Sequence, residues 1–441
     1  MTTVCVVGLG KIGLPLAAQF AKNDDIQVWG CDTNPQVIAS VNAGVSHVAG
    51  EAGLEDAVAD AVARGRLRAS ADTAECVRQA RIVVIIVPVG LTATNEPDFS
   101  YLDAATASVG AGLQKGTLVI LETTVPVGTT RHRVAPLLAS TSGLTDSRDF
   151  EVAFSPERVY SGRIFQDLAT YPKVVGGLTD AACQRAVMFY DHVLDADIFP
   201  VSTAEAAEFV KLLETTYRDV NIAFANECAQ YAESHHLDVY EAIAAANTQP
   251  FSHIHQPGLG VGGHCIPVYP HFLISSGWPF RLPSMARVIN DGMANHGVQL
   301  LEAALGGLKD RRVLVLGVTY RANVKETYRT TAVRLIAALR ARGTIVLGHD
   351  ALLSDDELAR LDVEPCSIPP LPAVDAVILH SFHDAYAELH LDEVPGLRVV
   401  LDGCHALSPS ALRTLGDRDI RCIQVGRVDP SPRIETEAGA E

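Results

Sequence analysis

Apolar residues at the start of the chain come in short runs, each bounded by Gly, Pro or a charged residue. Val4–Val7 is such a run and stops at Gly8; Gly13–Lys22 then shows helical spacing, and Gln27–Cys31 is a second run that ends in Asp32. Ile82–Val87, Leu118–Glu122 and Val152–Phe154 have the continuous apolar character of strands buried on both faces. Strand and helix patterns in alternation predict a parallel sheet covered by helices on each side.

The pattern changes near residue 200. From Thr203 to Ala246 Gly and Pro are scarce, and Phe209, Leu212, Leu213, Tyr217 and Val220 fall on one stripe continued by Phe224. This spacing predicts one long helix or two. A Gly/Pro/His-rich loop, Gln249–Pro270, precedes another helical stretch, Pro283–Leu305. A second α/β pattern follows, with strands at Val313–Leu316, Thr344–Leu347, Ala376–Leu379 and Leu397–Leu401 and a helix at Thr330–Ala341. The tail from Val428 is charged and contains Pro, and is expected to be disordered.

At 441 residues the chain exceeds one ordinary core. Hydrophobic residues at 48% against 20% charged suit globular folding. The 52 Asp and Glu outnumber 35 Lys and Arg, for a net charge of −17. That sign argues against nucleic acid as a partner and favours small molecules held in locally built sites. The longest apolar stretch, Ile82–Val89, is too short to span a bilayer, so no membrane partner is expected. Met1–Gly8 lacks the basic segment of a signal peptide and reads as a strand. Nine cysteines without CxxC spacing indicate neither a disulfide framework nor a metal site. A cytoplasmic location is expected.

Gly8-Leu9-Gly10-Lys11-Ile12-Gly13 follows a strand and opens a helix, and Asp32 ends the next strand about 20 residues further on. The first Gly permits a tight turn, the second lets the backbone approach a pyrophosphate, and the third lets helix and strand pack closely. Asp32 would accept hydrogen bonds from the adenine ribose and repel a 2′-phosphate, which favours NAD over NADP. FAD or another nucleotide stays open on this motif alone. Gly258, Gly260, Gly262 and Gly263 precede His264 and Cys265. Such a backbone can aim amides at a ligand, and His264 beside the thiol suits a reactive cysteine. A buried, inert cysteine and a structural histidine are the competing readings. Lys211, inside the apolar stretch Glu208–Leu213, reads by itself as a solvated lysine.

Taken together, these segments resemble the UDP-glucose/GDP-mannose dehydrogenase family of nucleotide-sugar 6-dehydrogenases. The resemblance spans nearly the whole chain. It rests on Gly8–Ala17, Glu122-Thr-Thr-Val-Pro-Val-Gly-Thr129, Ser155-Pro-Glu-Arg-Val159, Tyr217-Arg-Asp-Val-Asn-Ile-Ala-Phe-Ala-Asn-Glu227, Gly260-Val-Gly-Gly-His-Cys-Ile-Pro267 and Gly317-Val-Thr-Tyr-Arg-Ala-Asn-Val324. It implies an α/β protein in which two Rossmann-like, doubly wound parallel-sheet domains are joined by a central helical dimerisation domain. The expected boundaries are 1–200 for NAD, 201–305 for the helical middle, and 306–427 for a UDP-binding domain. The activity implied is oxidation of a sugar C6 alcohol to a carboxylate, with two NAD and one water.

Residue by residue, the resemblance makes Cys265 the nucleophile, Lys211 the stabiliser of oxyanions, Glu157 the general base and Thr124 the hydroxyl that positions water. Gly8, Gly10, Lys11, Ile12, Gly13, Asp32, Pro88, Thr124 and Arg329 are the expected cofactor contacts. Glu157, Arg158, Val159, Lys211, Thr215, Arg218, Asn221, Gly258, Gly260, Gly262, His264, Tyr269, Tyr320 and Arg321 are the expected substrate contacts. The His264-Cys265-Ile266-Pro267 form resembles the branch that acts on UDP-N-acetylhexosamines, glucosamine or mannosamine. UDP-glucose or another nucleotide hexose, and a degenerate nucleotide-sugar-binding protein, are the alternatives. A homodimer is implied.

Several positions depart from the family pattern. Thr215 stands where an Asn is usual, one helical turn after the lysine, and Tyr269 where an Asp follows the cysteine. Phe251 is near a usual arginine, and Tyr328 replaces another, with Arg329 adjacent. Asp402-Gly403-Cys404-His405 replaces a pattern that often includes Arg. The changed charge near the thiol would alter its basicity and the activation of water.

Overall fold

Residues 1–427 are described by a computed structural model; the tail expected to be disordered lies outside the described residues. The chain divides into two compact units. Met1–Glu214 with His271–Trp278 form the first, and Thr215–Pro270 with the chain from Pro279 form the second.

The first unit alternates strands and helices in the way its apolar runs dictate. Its elements are β1 (Thr2–Val7), α1 (Gly13–Phe20), β2 (Ile26–Cys31), α2 (Pro35–Asn42), α3 (Leu54–Ala63), β3 (Leu67–Ser70), α4 (Thr73–Gln79) and β4 (Ile82–Ile85). A small hairpin, β5 (Gly90–Leu91) with β6 (Pro97–Asp98), leads to α5 (Ser100–Gly112), β7 (Leu118–Leu121), α6 (Ala135–Ser142) and β8 (Glu151–Phe154). After α7 (Ile164–Thr170) come β9 (Lys173–Gly177), α8 (Asp180–Val193) and β10 (Ile198–Pro200). The sheet order is β10-β9-β8-β7-β4-β1-β2-β3. Short polar caps start several helices: the side chains of Asn34, Asp72 and Thr179 accept from Gln36, Glu75 and Ala182 amides.

One pairing departs from an all-parallel sheet. β8 and β9 are antiparallel, with Ala153 opposite Gly177 and Phe154 opposite Gly176, and β10 is parallel to β9. The reversal brings Lys173, the first residue of β9, to the edge where β7 and β8 end.

The helical stretch resolves into α9 (Ala204–Ser234) and α10 (Val239–Ala246), because His236 turns with a positive φ of 56° and Asp238 caps the second helix. The expected apolar stripe splits. Leu212 is buried, whereas Phe209, Leu213, Tyr217 and Phe224 are exposed. The buried face of α9 carries small and polar residues instead, among them Ala207, Glu208, Thr215, Asp219 and Asn226. The rest of the chain adds α11 (Tyr269–Ile274), α12 (Arg281–Leu305), β11 (Arg312–Leu316), α13 (Thr331–Arg340) and β12 (Ile345–His349). It ends with α14 (Asp355–Arg360), β13 (Glu364–Pro365), β14 (Ala376–Leu379), β15 (Val399–Asp402), α15 (Pro409–Asp417) and β16 (Arg421–Gln424). These strands form a second parallel sheet, β13-β12-β11-β14-β15-β16. Its core runs continuously from Ala225 and Ala229 of α9 through Met293 and Leu301 of α12 to Val313 and Ile378.

Within the second unit α9 and α12 are joined by buried polar groups. Asp219 Oδ1 accepts from Arg287 Nη1 at 2.6 Å and from Asn290 Nδ2 at 2.8 Å, and Asn226 Nδ2 donates to Asn290 Oδ1 at 2.8 Å. Removing one partner from such a set would strand a buried charge.

Candidate active site

The loop between β1 and α1 has the geometry of a dinucleotide cradle. Gly8 holds φ at 98°, and a Cβ there would stand 2.5 Å from the Ile86 carbonyl oxygen. A Cβ on Gly13 would lie 1.8 Å from the Gly8 carbonyl oxygen, so the helix could not approach the strand. Gly10, by contrast, faces open space. The α1 N-terminus has no side-chain cap, which leaves its amides for a phosphate. Asp32 fixes the loop, accepting from the Leu9 amide at 2.9 Å and the Asn34 amide at 2.8 Å. Lys11 and Pro88 are exposed at this edge, and Ile12 is half-buried. A pyrophosphate and an adenine ribose fit these groups.

The equivalent place in the second sheet is closed. Asp350 is buried and already accepts from the Val318, Thr319 and Leu352 amides at 2.7, 2.8 and 2.9 Å, and pairs with His383 Nε2 at 3.1 Å. These bonds hold its carboxyl well below the usual range against the opposing effect of burial. The helix that follows, α13, is capped by Thr330. Only the first sheet offers a free helix terminus and a partly open carboxylate.

In the first unit Thr124, Glu157 and Lys211 come from the loop after β7, the loop after β8 and α9. Glu208 ties the first of these loops to α9: it accepts from the Gly128 amide at 2.5 Å, the Thr130 amide at 2.8 Å and the Thr130 hydroxyl at 2.6 Å. Arg158 ties the second, reaching Glu214 of α9 at 2.6 Å and the Pro172 carbonyl at 2.8 Å. Both anchors flank Lys211, within a turn of it on either side. Glu157 Oε1 accepts from the Arg158 and Val159 amides at 2.6 and 3.0 Å, and Oε2 from Lys173 Nζ at 3.3 Å. Burial works against its charge, but Lys173, these amides and the nearby Lys211 hold it below the usual glutamate range.

Lys173, Glu122 and Tyr190 belong to the same edge, although the sequence pattern assigns none of them a role and only Glu122 falls in a family-like segment. Lys173 Nζ lies 2.7 Å from Glu122 Oε2, and the Tyr190 hydroxyl donates to Glu122 Oε1. For Lys173 the local signal is a lysine heading the apolar run Val174–Val175.

The cysteine loop lies in the second unit. Gly258 donates to Asn226 Oδ1 at 2.9 Å, and Asn221 donates to the His253 carbonyl at 2.6 Å while accepting from the His255 amide at 2.8 Å. Asn221, expected at the substrate, thus shapes the loop's entry. A Cβ on Gly262 would be 2.7 Å from Tyr320 Cβ and 3.0 Å from the Arg329 carbonyl oxygen. The Gly263 amide donates to the Tyr328 carbonyl at 3.0 Å. His264 stacks on Tyr328 with ring centroids 4.2 Å apart, and its Nε2 is 3.2 Å from Glu326 Oε2. Cys265 is exposed, whereas Cys5, Cys31, Cys76 and Cys422 are buried. Its carbonyl accepts from the Tyr269 amide at 2.9 Å, which starts α11. Thr215 is buried, Arg218 half-buried, Arg321 exposed and Gly260 half-buried with φ at 107°. Phe251 is almost fully exposed. Arg329 holds a left-handed φ of 49°. Among the described residues no cluster of three His, Cys, Asp or Glu could hold a metal, and no helix is long and apolar enough to cross a membrane.

Known proteins give this geometry its context. Residues 2–194 match the NAD binding domain of the UDP-glucose/GDP-mannose dehydrogenase family, 205–291 its central domain and 314–409 its UDP binding domain. The chain belongs to this family. It is 34% identical over 410 residues to the UDP-N-acetyl-D-mannosamine dehydrogenase of Pyrococcus horikoshii, covering 91% of this chain and 94% of that one. It is 32% identical over 413 residues to the NDP-N-acetyl-D-galactosaminuronic acid dehydrogenase of Ralstonia solanacearum, covering 91% and 95%. A solved structure of a P. horikoshii UDP-D-ManNAc dehydrogenase superposes with a TM-score of 0.88 at 32% identity, covering 97% of this chain and all of the other. These matches bear out the family resemblance and the fold class read from sequence.

Proposed function

We propose that this protein is an NAD-dependent 6-dehydrogenase of a UDP-N-acetylhexosamine, with the glucosamine or mannosamine sugar as substrate. The observation that carries this reading is the edge of the first unit where Glu157 is held by two backbone amides and Lys173, with the loops after β7 and β8 anchored to α9 through Glu208 and Glu214 on either side of Lys211. The names of the relatives support the N-acetylhexosamine, and the UDP binding domain match supports the nucleotide.

NAD supplies the hydride acceptor. Gly8, Gly10, Lys11, Ile12 and Gly13 would hold its pyrophosphate, Asp32 its adenine ribose, and Pro88, Thr124 and Arg329 would complete the site. Lys211 would stabilise negative charge on the reacting oxygen, a task suited to a cation fixed on a rigid helix. Glu157 would accept the proton of the C6 hydroxyl as it is oxidised, or of the water that attacks the thioester, and Thr124 would orient that water. The Cys265 thiolate would add to the aldehyde carbon, so that the second oxidation yields a thioester. Water would cleave it to the carboxylate and return the thiolate. Arg158, Val159, Thr215, Arg218, Asn221, Gly258, Gly260, Gly262, His264, Tyr269, Tyr320 and Arg321 are assigned to the substrate or to the loops that shape its site.

We infer three functional domains, 1–200, 201–305 and 306–427, and a homodimer formed through the middle one. The exposed apolar stripe of α9, with exposed Leu282, Met285 and Val288 of α12, supports that surface. The reading is tested by incubating the protein with NAD and a panel of nucleotide sugars, following NADH and weighing the product. Oxidation of a UDP-N-acetylhexosamine to its uronate supports it, and turnover confined to UDP-glucose or another nucleotide hexose replaces the substrate assignment.

A further inference from the structure

Four titratable side chains of the first unit form a single hydrogen-bonded line: Tyr190, Glu122, Lys173 and Glu157. All but Glu157 are almost completely buried. They come from separate places in the chain, Tyr190 from α8, Glu122 from the residue just after β7, Lys173 from the start of β9 and Glu157 from the loop after β8. Taking a lysine and a carboxylate out of water is costly, and apolar residues of similar volume commonly serve stability as well or better. The line ends on Glu157, the carboxylate assigned above to proton transfer.

The strand reversal explains how the lysine arrives. A residue that begins one of the strands running with β8 sits at the opposite edge, remote from the loops after β7 and β8. The β8–β9 pairing is the one antiparallel pairing of this sheet among the described residues, and continuing its register places Lys173 opposite Glu157. Ser155 fastens that register through its hydroxyl to the Val174 carbonyl at 2.8 Å. Lys173 Nζ also lies over the Tyr190 ring, 5.1 Å from its centroid, so the ammonium is enclosed on its remaining side.

We propose that Lys173, braced by Glu122 and Tyr190, is a positioning residue that fixes the Glu157 carboxylate in place and in its ionised form. This deepens the reading above and rests on Glu157 being the proton-accepting group. Glu157 Oε1 is saturated by two backbone amides, so Oε2 is the oxygen left to chemistry, and Lys173 is what orients it. The charges that face Glu157 are Lys173 from β9, Glu122 beyond it, Lys211 from α9 and Arg158 beside it, with Tyr190 of α8 behind. Glu122 competes for the same ammonium. Burial, the largest effect, pushes Glu122 upward, and the negative Glu157 adds to that push while Lys173 opposes it. Protonation of Glu122 leaves the lysine's charge to Glu157 alone and lowers its basicity; ionisation of Glu122 shares the charge and raises it.

Two variants of the full chain test the proposal with opposite expected signs. Glu122→Gln keeps a carbonyl acceptor for Lys173, and its amide nitrogen can donate to the Tyr190 hydroxyl, but it removes the competing charge, so Glu157 should titrate lower. Lys173→Met leaves Glu157 without its cation, so Glu157 should titrate higher by about one pH unit or more, a tenfold change in ionisation. Lys173→Arg should restore most of that shift. The readout is the carbon-13 carboxyl resonance of Glu157, assigned by its loss in Glu157→Gln, together with the pH dependence of kcat per folded molecule. The acid limb of kcat should move with the resonance in both variants, while the Kd for NAD stays put. Unchanged Glu157 titration in Glu122→Gln and Lys173→Met, with only a lower Tm, would overturn the proposal. So would a shifted resonance with an unshifted kcat limb. A wild-type protein that oxidises no nucleotide sugar removes the catalytic reading, and the resonance then decides the Lys173–Glu157 coupling independently.

Discussion

At the scale of single residues, Cys265 and Asp32 carry the sharpest expectations. Cys265 is exposed at the end of a glycine loop packed against Tyr320 and Arg329. Cys265→Ser should preserve the fold and NAD binding, because the loop is held through backbone atoms and through His264 rather than through the thiol. A serine alkoxide is harder to form and its ester is slower to hydrolyse, so turnover to the acid should fall by roughly 100-fold or more. A near-wild-type kcat in a stopped-flow NADH assay would return Cys265 to the small hydrophobes. Asp32 makes a separate claim. Its carboxylate stands at the end of β2 beside the loop that would hold the phosphates, where a 2′-phosphate would meet like charge. NAD should exceed NADP in kcat/KM by roughly two orders of magnitude, and Asp32→Asn should narrow that gap. Equal kcat/KM for both cofactors in the wild type would take the discrimination away from Asp32.

At the scale of elements, α9 is the organiser, and Glu208 is its fastening. Glu208→Ala would strand the Gly128 and Thr130 amides without an acceptor in a buried place, at a cost of about 2–4 kcal/mol in urea unfolding. The Thr124 loop would loosen with it, so kcat should drop more than the Kd for NAD changes. Burial, the larger effect, pushes Glu208 up to about 7 against the hydrogen bonds from Thr130 and Gly128. The folded protein therefore keeps a proton that the unfolded chain gives up in the ordinary glutamate range. That contribution to stability is present at acid pH and is lost as pH rises from 4.5 to about 7. Glu208→Gln should flatten this part of the Tm profile, and an unaltered slope would show that Glu208 is ionised throughout.

Elements also show what could be read in advance. β1, the glycine turn, α1 and Asp32 are legible because the whole cradle is local in sequence. The strands at Ala376–Leu379 and Leu118–Leu121 announce themselves as apolar runs buried on both faces. Lys173 is not legible, since its place depends on β9 running against β8, and a residue-by-residue pattern carries no strand direction. The α9 stripe misleads for a related reason. Apolar spacing identifies a helix face, but not whether that face meets this chain's own core or is left exposed. Here the inner face is made of small residues and of polar groups with buried partners, such as Asp219 and Asn226.

At the scale of the whole molecule, two sheets of similar plan differ in what their edges leave open to a ligand. The first keeps an uncapped helix N-terminus and a free approach at Gly10; the second spends Asp350 on its own backbone and His383. A single dinucleotide site per chain is the expected stoichiometry in calorimetry. The exposed Tyr217 and Phe224 on α9 make the assembly testable as well. Light scattering at micromolar concentration should give a dimer, and Tyr217→Arg combined with Phe224→Asp should give a monomer. A wild-type monomer would contradict the proposed interface.

The central claim is a four-electron oxidation of a nucleotide sugar through Cys265, and reaction stoichiometry tests it most directly. With limiting UDP-N-acetylhexosamine and excess NAD, the wild-type protein should form about two NADH per sugar, with a product heavier than substrate by the mass change of alcohol to carboxylate. Cys265→Ser should not reach that product at a comparable rate. One NADH per sugar with an aldehyde as the product, or near-wild-type conversion to the acid by Cys265→Ser, would contradict it.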